Sequence, residues 1–266
     1  MKKFTLQDDL ALMEEAGRQA AALAKKFQEQ GFERLENKAA GDPFLTEADI
    51  AIDTLLRDML TSKRPDYGWL SEETVADDSY KTQSHCFIVD PIDGTRGFVN
   101  RDGMFAVSIG LAVDGLPALG VVVNPMQDRM ISGGPEVGIF YNSQPQDPDL
   151  PVEIEGSSCL ISVRENKQKM WEDLAELLDL QVVGSIADKL ALVAGTDAKL
   201  TASRLPKSLW DICAGDAICR GAGYKVTDLQ GRDITYKGSQ VVSGLVLAPP
   251  ALFDDFYKYI CQNLPA

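Results

Sequence analysis

Two aspartates three residues apart give the strongest chemical signal in this sequence. They are Asp90 and Asp93, within residues 88–96, which read IVDPIDGTR. The apolar residues predict a strand that reaches Asp90, and Pro91 must interrupt its ladder of hydrogen bonds. Carboxylates on an irregular turn at a strand end can converge on one cation, and Gly94 lets the backbone approach a ligand closely. The alternative is an ordinary turn in which these side chains only cap backbone groups.

Three other acidic segments are ambiguous when each is taken alone. Glu72 and Glu73 follow an apolar pair in the sequence WLSEET, and a solvated loop would explain them. Asp211 follows Trp210 at the start of a predicted helix, where it could merely complement the helix dipole. Asp49 stands three residues after Thr46, so it could act only as the second half of a capping box.

Composition narrows the chemistry that these acids could perform. Lys and Arg number 26 against 40 Asp and Glu, a net charge of −14, which disfavours stable binding to nucleic acid. The chain has one histidine, His85, so a zinc site with two or more histidines from one chain is excluded. His85 opens an apolar strand, which favours a structural role. Carboxylates and hydroxyls remain as candidates for hydrolytic chemistry, and an anionic substrate would need metal ions or a few placed basic residues.

Taken together, the acidic motifs resemble the inositol monophosphatase superfamily, a group of lithium-sensitive phosphatases, over essentially the whole chain. The D-P-I-D-G-T motif at 90–95 and the W-D-x-x-A-G motif at 210–215 carry the resemblance. Within the superfamily the chain looks most like the 3′(2′),5′-bisphosphate nucleotidases, which convert 3′-phosphoadenosine 5′-phosphate to AMP. The segments WLSEET, DGTRGF and RDGMFAVSIGLAVDGLPALGVVV favour that subgroup. Inositol monophosphatase, histidinol-phosphate phosphatase and a non-catalytic regulatory homologue remain as alternatives.

The resemblance implies a magnesium-dependent phosphomonoesterase with two to three ions. Glu72, Asp90 and the Ile92 carbonyl would hold one Mg²⁺, and Asp90, Asp93 and Asp211 would hold a second. A third, weaker ion would depend on Glu72 and water. All of these ligands are oxygens, which a hard ion such as Mg²⁺ prefers.

The same resemblance implies roles around the substrate. Glu72 and Thr95 would orient a water molecule activated by the metal ions and take its proton, with Asp49 bonded to the Thr95 hydroxyl. Arg96, Lys189, Arg204 and Lys207 are candidates for a second phosphate, although a solvated surface charge is the alternative for each. The implied substrate-binding residues are Asp93, Gly94, Thr95, Arg96, Lys207 and Asp211.

Two departures from the family pattern affect this comparison. Ser71 replaces the glycine that is common before the acid pair, which can change the loop but leaves both carboxylates. Residues 221–224 read GAGY where E-A-G-G is common, which changes the side chains available for substrate contacts near that helix end.

The elements that must position these residues predict a layered α/β fold, an αβαβα sandwich. Helices are expected over 5–29, 46–62, 166–178, 186–195, 210–222 and 250–262, and strands over 86–90, the two arms beside Asp114–Gly115, and five short segments after residue 158. Residues 143–157 are proline-rich and predict a linker between an N-terminal half, 1–142, that carries most metal ligands and a C-terminal half, 158–266, that carries Asp211.

The expected setting is cytoplasmic. The five cysteines are odd in number and scattered among apolar residues, which favours buried thiols in a reducing compartment. The first residues show no apolar run typical of a signal peptide, and no stretch approaches the length of a membrane span. A small phosphorylated molecule is the expected partner, and a homodimer is compatible with the resemblance.

Overall fold

Helix and sheet alternate in five layers, which confirms the predicted αβαβα sandwich. The computed structural model describes residues 4–35, 44–196 and 199–262. The described helices are α1 (Leu6–Gln30), α2 (Glu47–Lys63), α3 (Ser79–Thr82), α4 (Thr95–Asn100), α5 (Val163–Lys167), α6 (Ile186–Gly195), α7 (Leu209–Gly221) and α8 (Pro250–Cys261). The described strands are β1 (Gly68–Ser71), β2 (His85–Asp93), β3 (Ala106–Val113), β4 (Leu116–Asn124), β5 (Arg129–Gly134), β6 (Gly138–Tyr141), β7 (Gln144–Gln146), β8 (Ser158–Ser162), β9 (Asp179–Val183), β10 (Leu200–Ser203), β11 (Lys207–Ser208), β12 (Lys225–Thr227), β13 (Val241–Val242) and β14 (Leu245–Ala248).

The two N-terminal helices form the first layer. Thr5 and Asp8 cap α1 reciprocally, which satisfies backbone amides that a helix start otherwise leaves unpaired. Small residues such as Ala16 and Ala20 are fully buried along α1, so the helix can lie close to the sheet. Helices α1 and α2 share one apolar core with β2, β3 and β4.

A seven-stranded sheet, ordered β1 to β7, forms the second layer. Strands β1 and β2 are parallel and the other neighbours are antiparallel. The predicted turn at Asp114–Gly115 joins β3 to β4, and both residues have positive φ, as a tight hairpin with the sheet's twist requires. Because β1 and β2 run in the same direction, with Ser71 opposite Val89, the residues that follow each strand meet at one edge.

Helix α7 lies between the two large sheets, against the face of the first sheet that α1 leaves open. Gly110 and Gly120 face each other on β3 and β4 beneath this helix. A Cβ at Gly120 would lie 2.0 Å from the carbonyl oxygen of Ala214, and one at Gly110 would lie 2.5 Å from Cys213 Sγ. The two glycines therefore let α7 approach the strands at a distance that side chains would forbid.

The second sheet has the order β12-β14-β10-β8-β9, with β8 parallel to β9 and β10. Helix α8 covers its outer face through Phe253, Phe256 and Ile260, which are almost completely buried. A separate two-stranded ribbon, β11 with β13, leads into α7.

Two predicted elements were wrong. The helix expected over 166–178 is instead the short α5 followed by a 3₁₀ turn at Glu172–Leu174, because Lys169 takes a left-handed conformation that ends the helix. The strand expected over 241–248 is divided at Gly244, whose Cβ would collide with the Ser203 carbonyl oxygen 2.3 Å away. Its halves join different sheets.

The predicted linker begins inside the first sheet, since β7 pairs with β6 at its edge. The division of the chain into two halves stays a prediction. Among the described helices, none combines the length and apolarity that a membrane crossing demands. All five cysteines are free thiols, and four of them are buried.

Candidate metal centre and substrate cavity

Three of the predicted metal ligands come together at the carboxyl end of β2. Asp90, Asp93 and Asp211 each place a carboxylate oxygen within 4.8 Å of the others. Asp90 and Asp93 are buried, whereas Asp211 is half-buried and faces the opening. Residues more than a hundred positions apart therefore form one acidic cluster.

An irregularity in β2 aims both of its aspartates at this point. The pairing of β2 with β3 shifts register between Asp90 and Asp93, as Pro91 predicts. The Asp90 carboxylate accepts a hydrogen bond from the Ile92 amide at 3.0 Å, which fixes the turn. Gly94 then adopts a φ of 91°, and a Cβ there would lie 2.7 Å from the Met104 carbonyl oxygen. Only glycine fits both the conformation and the space.

Asp93 is held by the start of α6, which sequence reasoning did not identify. One oxygen of its carboxylate accepts hydrogen bonds from the Ser185 hydroxyl and the Ala187 amide, both at 2.5 Å. Ser185 is also the N-cap of α6, accepting from the Asp188 amide. Asp188 is fixed in turn by a buried ion pair with Arg129. The second oxygen of Asp93 is thereby oriented as the one available to a cation.

Asp211 comes from the first turn of α7, three residues after the N-cap Ser208. Its carboxylate accepts a hydrogen bond from the Ser208 amide at 3.1 Å, so Asp211 caps the start of α7, a contact beyond the helix-dipole role considered from the sequence. That contact occupies Oδ2 and is compatible with a second role for the other oxygen.

The cluster is electrostatically strained in the absence of a cation. Burial, followed by repulsion from Asp211, raises the pKa of Asp93 to about 7. Burial also raises the pKa of Asp211 to about 6, although the Ser208 amide and the Lys207 ammonium oppose the rise. The pKa of Asp90 is raised well above its ordinary value by burial and by Glu72, Asp93 and other acids.

This donor set fits a hard divalent cation. It consists of carboxylate oxygens, and the members repel one another, so a cation would relieve their mutual repulsion. Histidine and cysteine, which zinc prefers in structural sites, are absent from the cluster. His85 lies at the other end of β2, with its ring centroid 4.7 Å from that of Tyr67 and tilted by 30°, in the structural position that the sequence indicated.

Glu72 lies next to the cluster, directly after β1. Loss of hydration, followed by the charges of Asp211, Glu73, Asp93 and Asp49, raises its pKa to about 9. The residue nevertheless keeps access to solvent. The electrostatic influence of Asp49 on both Glu72 and Asp90 places Asp49 near the same centre.

The predicted bond between Asp49 and Thr95 stays a prediction. The Asp49 carboxylate accepts from the Thr46 amide at 2.8 Å and from the Thr46 hydroxyl at 2.6 Å, the capping box expected as its alternative role. Thr95 is the first residue of α4 rather than its cap, which is Gly94. Its hydroxyl donates to the Ile92 carbonyl at 3.2 Å. A carbonyl has two lone pairs, so Ile92 can accept this bond and also face a cation.

A cavity of about 460 Å³ opens beside the turn at Gly94. Gly94 lines one side, and apolar side chains including Met104, Val163 and Ile186 line much of the rest. Four basic residues face it: Arg96 and Lys207, which were predicted, and Arg164 and Lys167, which were not. The last two follow β8, and no motif marks them, so the sequence held no clear signal for them.

Lys207 is the most unusual of these cations because its side chain is buried, with 9% of the residue exposed. Within the described part of the chain, its ammonium donates to the adjacent Pro206 carbonyl at 3.3 Å. An ammonium carries three N–H donors, so a buried one with a single weak backbone partner has donor capacity left for a ligand.

The other two basic candidates have different positions. Arg204 is buried in the core beneath the second sheet, where it pairs with Asp173 and lies over Trp171. Lys189 is completely buried and donates to the Ala202 carbonyl at 2.9 Å. The solvated-surface alternative was therefore wrong for both residues. Arg204 is bound within the core, and neither residue lines the cavity.

Comparison with known proteins agrees with this geometry. Residues 6–263 match the inositol monophosphatase family. The chain is 34% identical over 210 residues to the 3′(2′),5′-bisphosphate nucleotidase CysQ of Escherichia coli K12, covering 75% of this chain and 82% of that protein. It is 28% identical to the inositol monophosphatase of Mesembryanthemum crystallinum, covering 97% of each. Its fold matches the suppressor protein SuhB of Bartonella henselae with a TM-score of 0.81 and 22% identity, covering 95% of this chain and 98% of that one. The chain belongs to the inositol monophosphatase family.

Proposed function

We propose that this metal-dependent phosphomonoesterase removes the 3′-phosphate of 3′-phosphoadenosine 5′-phosphate and releases AMP and phosphate. The observation that carries the proposal is the basic cavity beside the acidic cluster. A substrate with two separated phosphates needs two separate sets of cations, and this acidic chain provides a second set at only a short distance from the first. The 34% identity to a bisphosphate nucleotidase supports the same assignment.

Asp90, Asp93 and Asp211 would hold Mg²⁺, together with Glu72 and the Ile92 carbonyl. When bound, the ions would supply an activated water and stabilise the charge that develops on the phosphoryl oxygens. Glu72, whose side chain is exposed to solvent beside the cluster, would take a proton from that water. Thr95 would orient the water through its hydroxyl.

The turn at Gly94 would hold the reacting phosphate. The amides of Gly97 and Phe98 donate to the Gly94 carbonyl, as a helix start requires. The amides that precede them have no partner within a helix, so those of Gly94 and Thr95 can donate to phosphoryl oxygens.

The cavity would hold the rest of the nucleotide. Lys207, Arg96, Arg164 and Lys167 would donate to the 5′-phosphate, and the apolar wall that includes Met104 suits a nucleoside better than a polyol. Binding energy from this remote phosphate would orient the reacting one. Inositol 1-phosphate has no second phosphate and would leave these cations unpaired, although the inositol monophosphatase relative that covers 97% of the chain makes that ester the main competing substrate.

The test compares 3′-phosphoadenosine 5′-phosphate with 3′-AMP, which lacks only the 5′-phosphate. Histidinol phosphate and inositol 1-phosphate complete the panel. We expect kcat/KM to be highest for the bisphosphate. Arg164→Gln should lower kcat/KM for the bisphosphate by about tenfold or more, since a hydrogen bond to a charged group contributes about 1.5–3 kcal/mol. The same variant should change the value for 3′-AMP by less than about threefold.

Lys258→Gln is the matched control because Lys258 is an exposed cation on α8, away from the cavity. It should leave both values unchanged. A tenfold preference for inositol 1-phosphate over the bisphosphate, about 1.4 kcal/mol of transition-state binding, would overturn the nucleotide assignment while the phosphatase assignment stands.

A further inference from the structure

Asp53 is a buried carboxylate outside the set of acids considered above. It lies on α2, four residues after Asp49, so both side chains are on the same face of the helix. Its exposed fraction is 6%. A buried carboxylate needs strong hydrogen-bond partners, and those of Asp53 come from the loop that carries the Glu72–Glu73 pair.

Two hydroxyls bind this carboxylate, one on each side of the acid pair. The Ser71 hydroxyl donates to Asp53 Oδ1. The Thr74 hydroxyl donates to Asp53 Oδ2 at 2.6 Å. Residues three positions apart therefore donate hydrogen bonds to both oxygens of one carboxylate. Asp53 thereby holds both ends of the segment Ser71–Thr74 in place.

We propose that Asp53 is a positioning residue for Glu72, acting as a clamp through Ser71 and Thr74. The inference rests on the proposed place of Glu72 beside the metal ions. It also assigns a role to Ser71, which supplies one of the two hydroxyls.

The loop that carries Glu72 needs support beyond its own backbone hydrogen bonds. The strand that precedes Glu72 ends at Ser71, so regular strand pairing does not extend along the acid pair. The amide of Glu72 reaches the Val89 carbonyl at 3.3 Å, a long hydrogen bond that alone would hold the backbone weakly. The two hydrogen bonds to the Asp53 carboxylate are charge-assisted, and such bonds are shorter and stronger than neutral ones. They therefore hold the loop in place more firmly than the Glu72 amide alone.

The clamp also couples two parts of the site. Because α2 carries Asp49 as well as Asp53, one rigid helix sets the position of both Asp49 and the Glu72 loop. A substitution at the clamp should therefore weaken cation binding without removing any residue proposed to touch the cation. Loss of such supporting hydrogen bonds costs about 10–100-fold in metal affinity in well-studied sites.

The experiment measures Mn²⁺ binding to the metal-free full-length protein by electron paramagnetic resonance, with no substrate present. The variants are Thr74→Val, which keeps the shape and loses the hydroxyl, Thr74→Ser, which keeps the hydroxyl, and Asp53→Asn. We expect Thr74→Val and Asp53→Asn to weaken Mn²⁺ binding by about tenfold or more. Thr74→Ser should restore affinity to within about twofold of the unmodified protein.

Thr54→Val is the matched control. Its hydroxyl donates to the Ile50 carbonyl on the same helix, outside the clamp, so the same chemical change should leave Mn²⁺ affinity unaltered. Circular dichroism identifies any variant that fails to fold. If Asp53→Asn does not fold, the pair Thr74→Val and Thr74→Ser still decides the question.

Equal Mn²⁺ affinity in folded Thr74→Val, Thr74→Ser and the unmodified protein would overturn the clamp. The half-saturating Mg²⁺ concentration for hydrolysis gives a second reading and should rise in Thr74→Val. Failure of every phosphate ester to react would refute the proposed function alone, because the Mn²⁺ measurement does not depend on turnover.

Discussion

At the residue scale, two acids of the cluster combine a structural hydrogen bond with the proposed metal role. Asp211 and Asp93 both accept backbone or hydroxyl hydrogen bonds at a helix start through one oxygen and leave the other to the cleft. The capping role and the proposed metal role are therefore not alternatives. The fixed oxygen determines the direction in which the free oxygen points, which is the preorganisation that a metal site needs.

Asp211→Asn should lower kcat by about 100-fold or more while making the metal-free protein more stable. The loss of rate follows from weaker metal binding, and the gain in stability follows from relief of repulsion in the cluster. A gain of about 1 kcal/mol would raise the Tm by roughly 2–4 °C. Thermal unfolding in chelator and steady-state kinetics in Mg²⁺ measure the two effects.

Asp228→Asn is the control for this pair of measurements, since Asp228 binds Arg232 outside the site. It should lower the Tm and leave kcat unchanged. If Asp211→Asn kept a near-normal kcat at low Mg²⁺, we would withdraw Asp211 from the metal ligands.

The acidic residues of the site could be predicted from the sequence, whereas the residues that hold them in position could not. Asp90 and Asp93 lie in one short motif, and their proximity follows from local turn chemistry. Ser185 is 92 residues from the aspartate that it holds, and nothing around it distinguishes it from an ordinary helix cap. Asp53 and Arg164 likewise acquire their roles only from tertiary placement.

At the element scale, the position of α7 decides whether Asp211 reaches the other two aspartates. Gly120→Ala would force a methyl group against the Ala214 carbonyl, since the added Cβ lies 2.0 Å from that oxygen. Overpacking of this kind costs about 1–3 kcal/mol, and part of the strain should be relieved by displacement of the helix. We expect both a lower Tm and weaker Mn²⁺ binding.

Gly17→Ala is the matched control because Gly17 packs on the same strand, β4, from the opposite face of the sheet. Its added Cβ would meet flexible side-chain atoms of Val123 and Val121 at 3.1 and 3.2 Å. Mn²⁺ affinity should stay unchanged in this variant whatever its Tm. Normal Mn²⁺ binding in Gly120→Ala would show that α7 tolerates the methyl group without moving.

Long periodic elements were predicted more accurately than short ones. Helices α1, α2, α6, α7 and α8 each lie within about two residues of their expected limits, because a buried apolar stripe defines each of them and either a capping side chain or, in α8, Pro250 marks its start. Apolar residues of the region 166–178 pack on α8 and the second sheet, although the backbone of this region is irregular. Its composition therefore predicted a helix that does not form. The break at Gly244 depends on contact with Ser203, which is distant in sequence.

At the scale of the whole molecule, the layered fold draws its site from almost every layer. The first sheet supplies Asp90 and Asp93, α7 supplies Asp211, α2 supplies Asp49, and α6 orients Asp93. Concentrating these acids in a chain of net charge −14 makes the metal-free fold sensitive to pH. That sensitivity provides a test of the cation site that requires no substrate.

Metal-free protein should lose stability as the pH rises from about 5 to about 9. A carboxyl whose pKa is higher in the folded than in the unfolded state stabilises the fold fully below its ordinary pKa, near 4, and this contribution disappears as the pH rises through the folded value. Those folded values are about 6 for Asp211, about 7 for Asp93 and about 9 for Glu72. The losses should therefore accumulate across this window.

Mg²⁺ should reverse the trend, because a cation binds the ionised carboxylates and competes with protons for them. The increase in Tm caused by Mg²⁺ should be small at pH 5 and should grow steadily to pH 9. Thermal unfolding at pH 5, 7 and 9, in chelator or in Mg²⁺, measures it, and NaCl at matched ionic strength separates specific binding from general screening of the acidic surface. Asp211→Asn should reduce the dependence on pH. A Tm increase of equal size at pH 5 and pH 9, or one that NaCl reproduces, would mean that the carboxylate cluster is not where the cation binds.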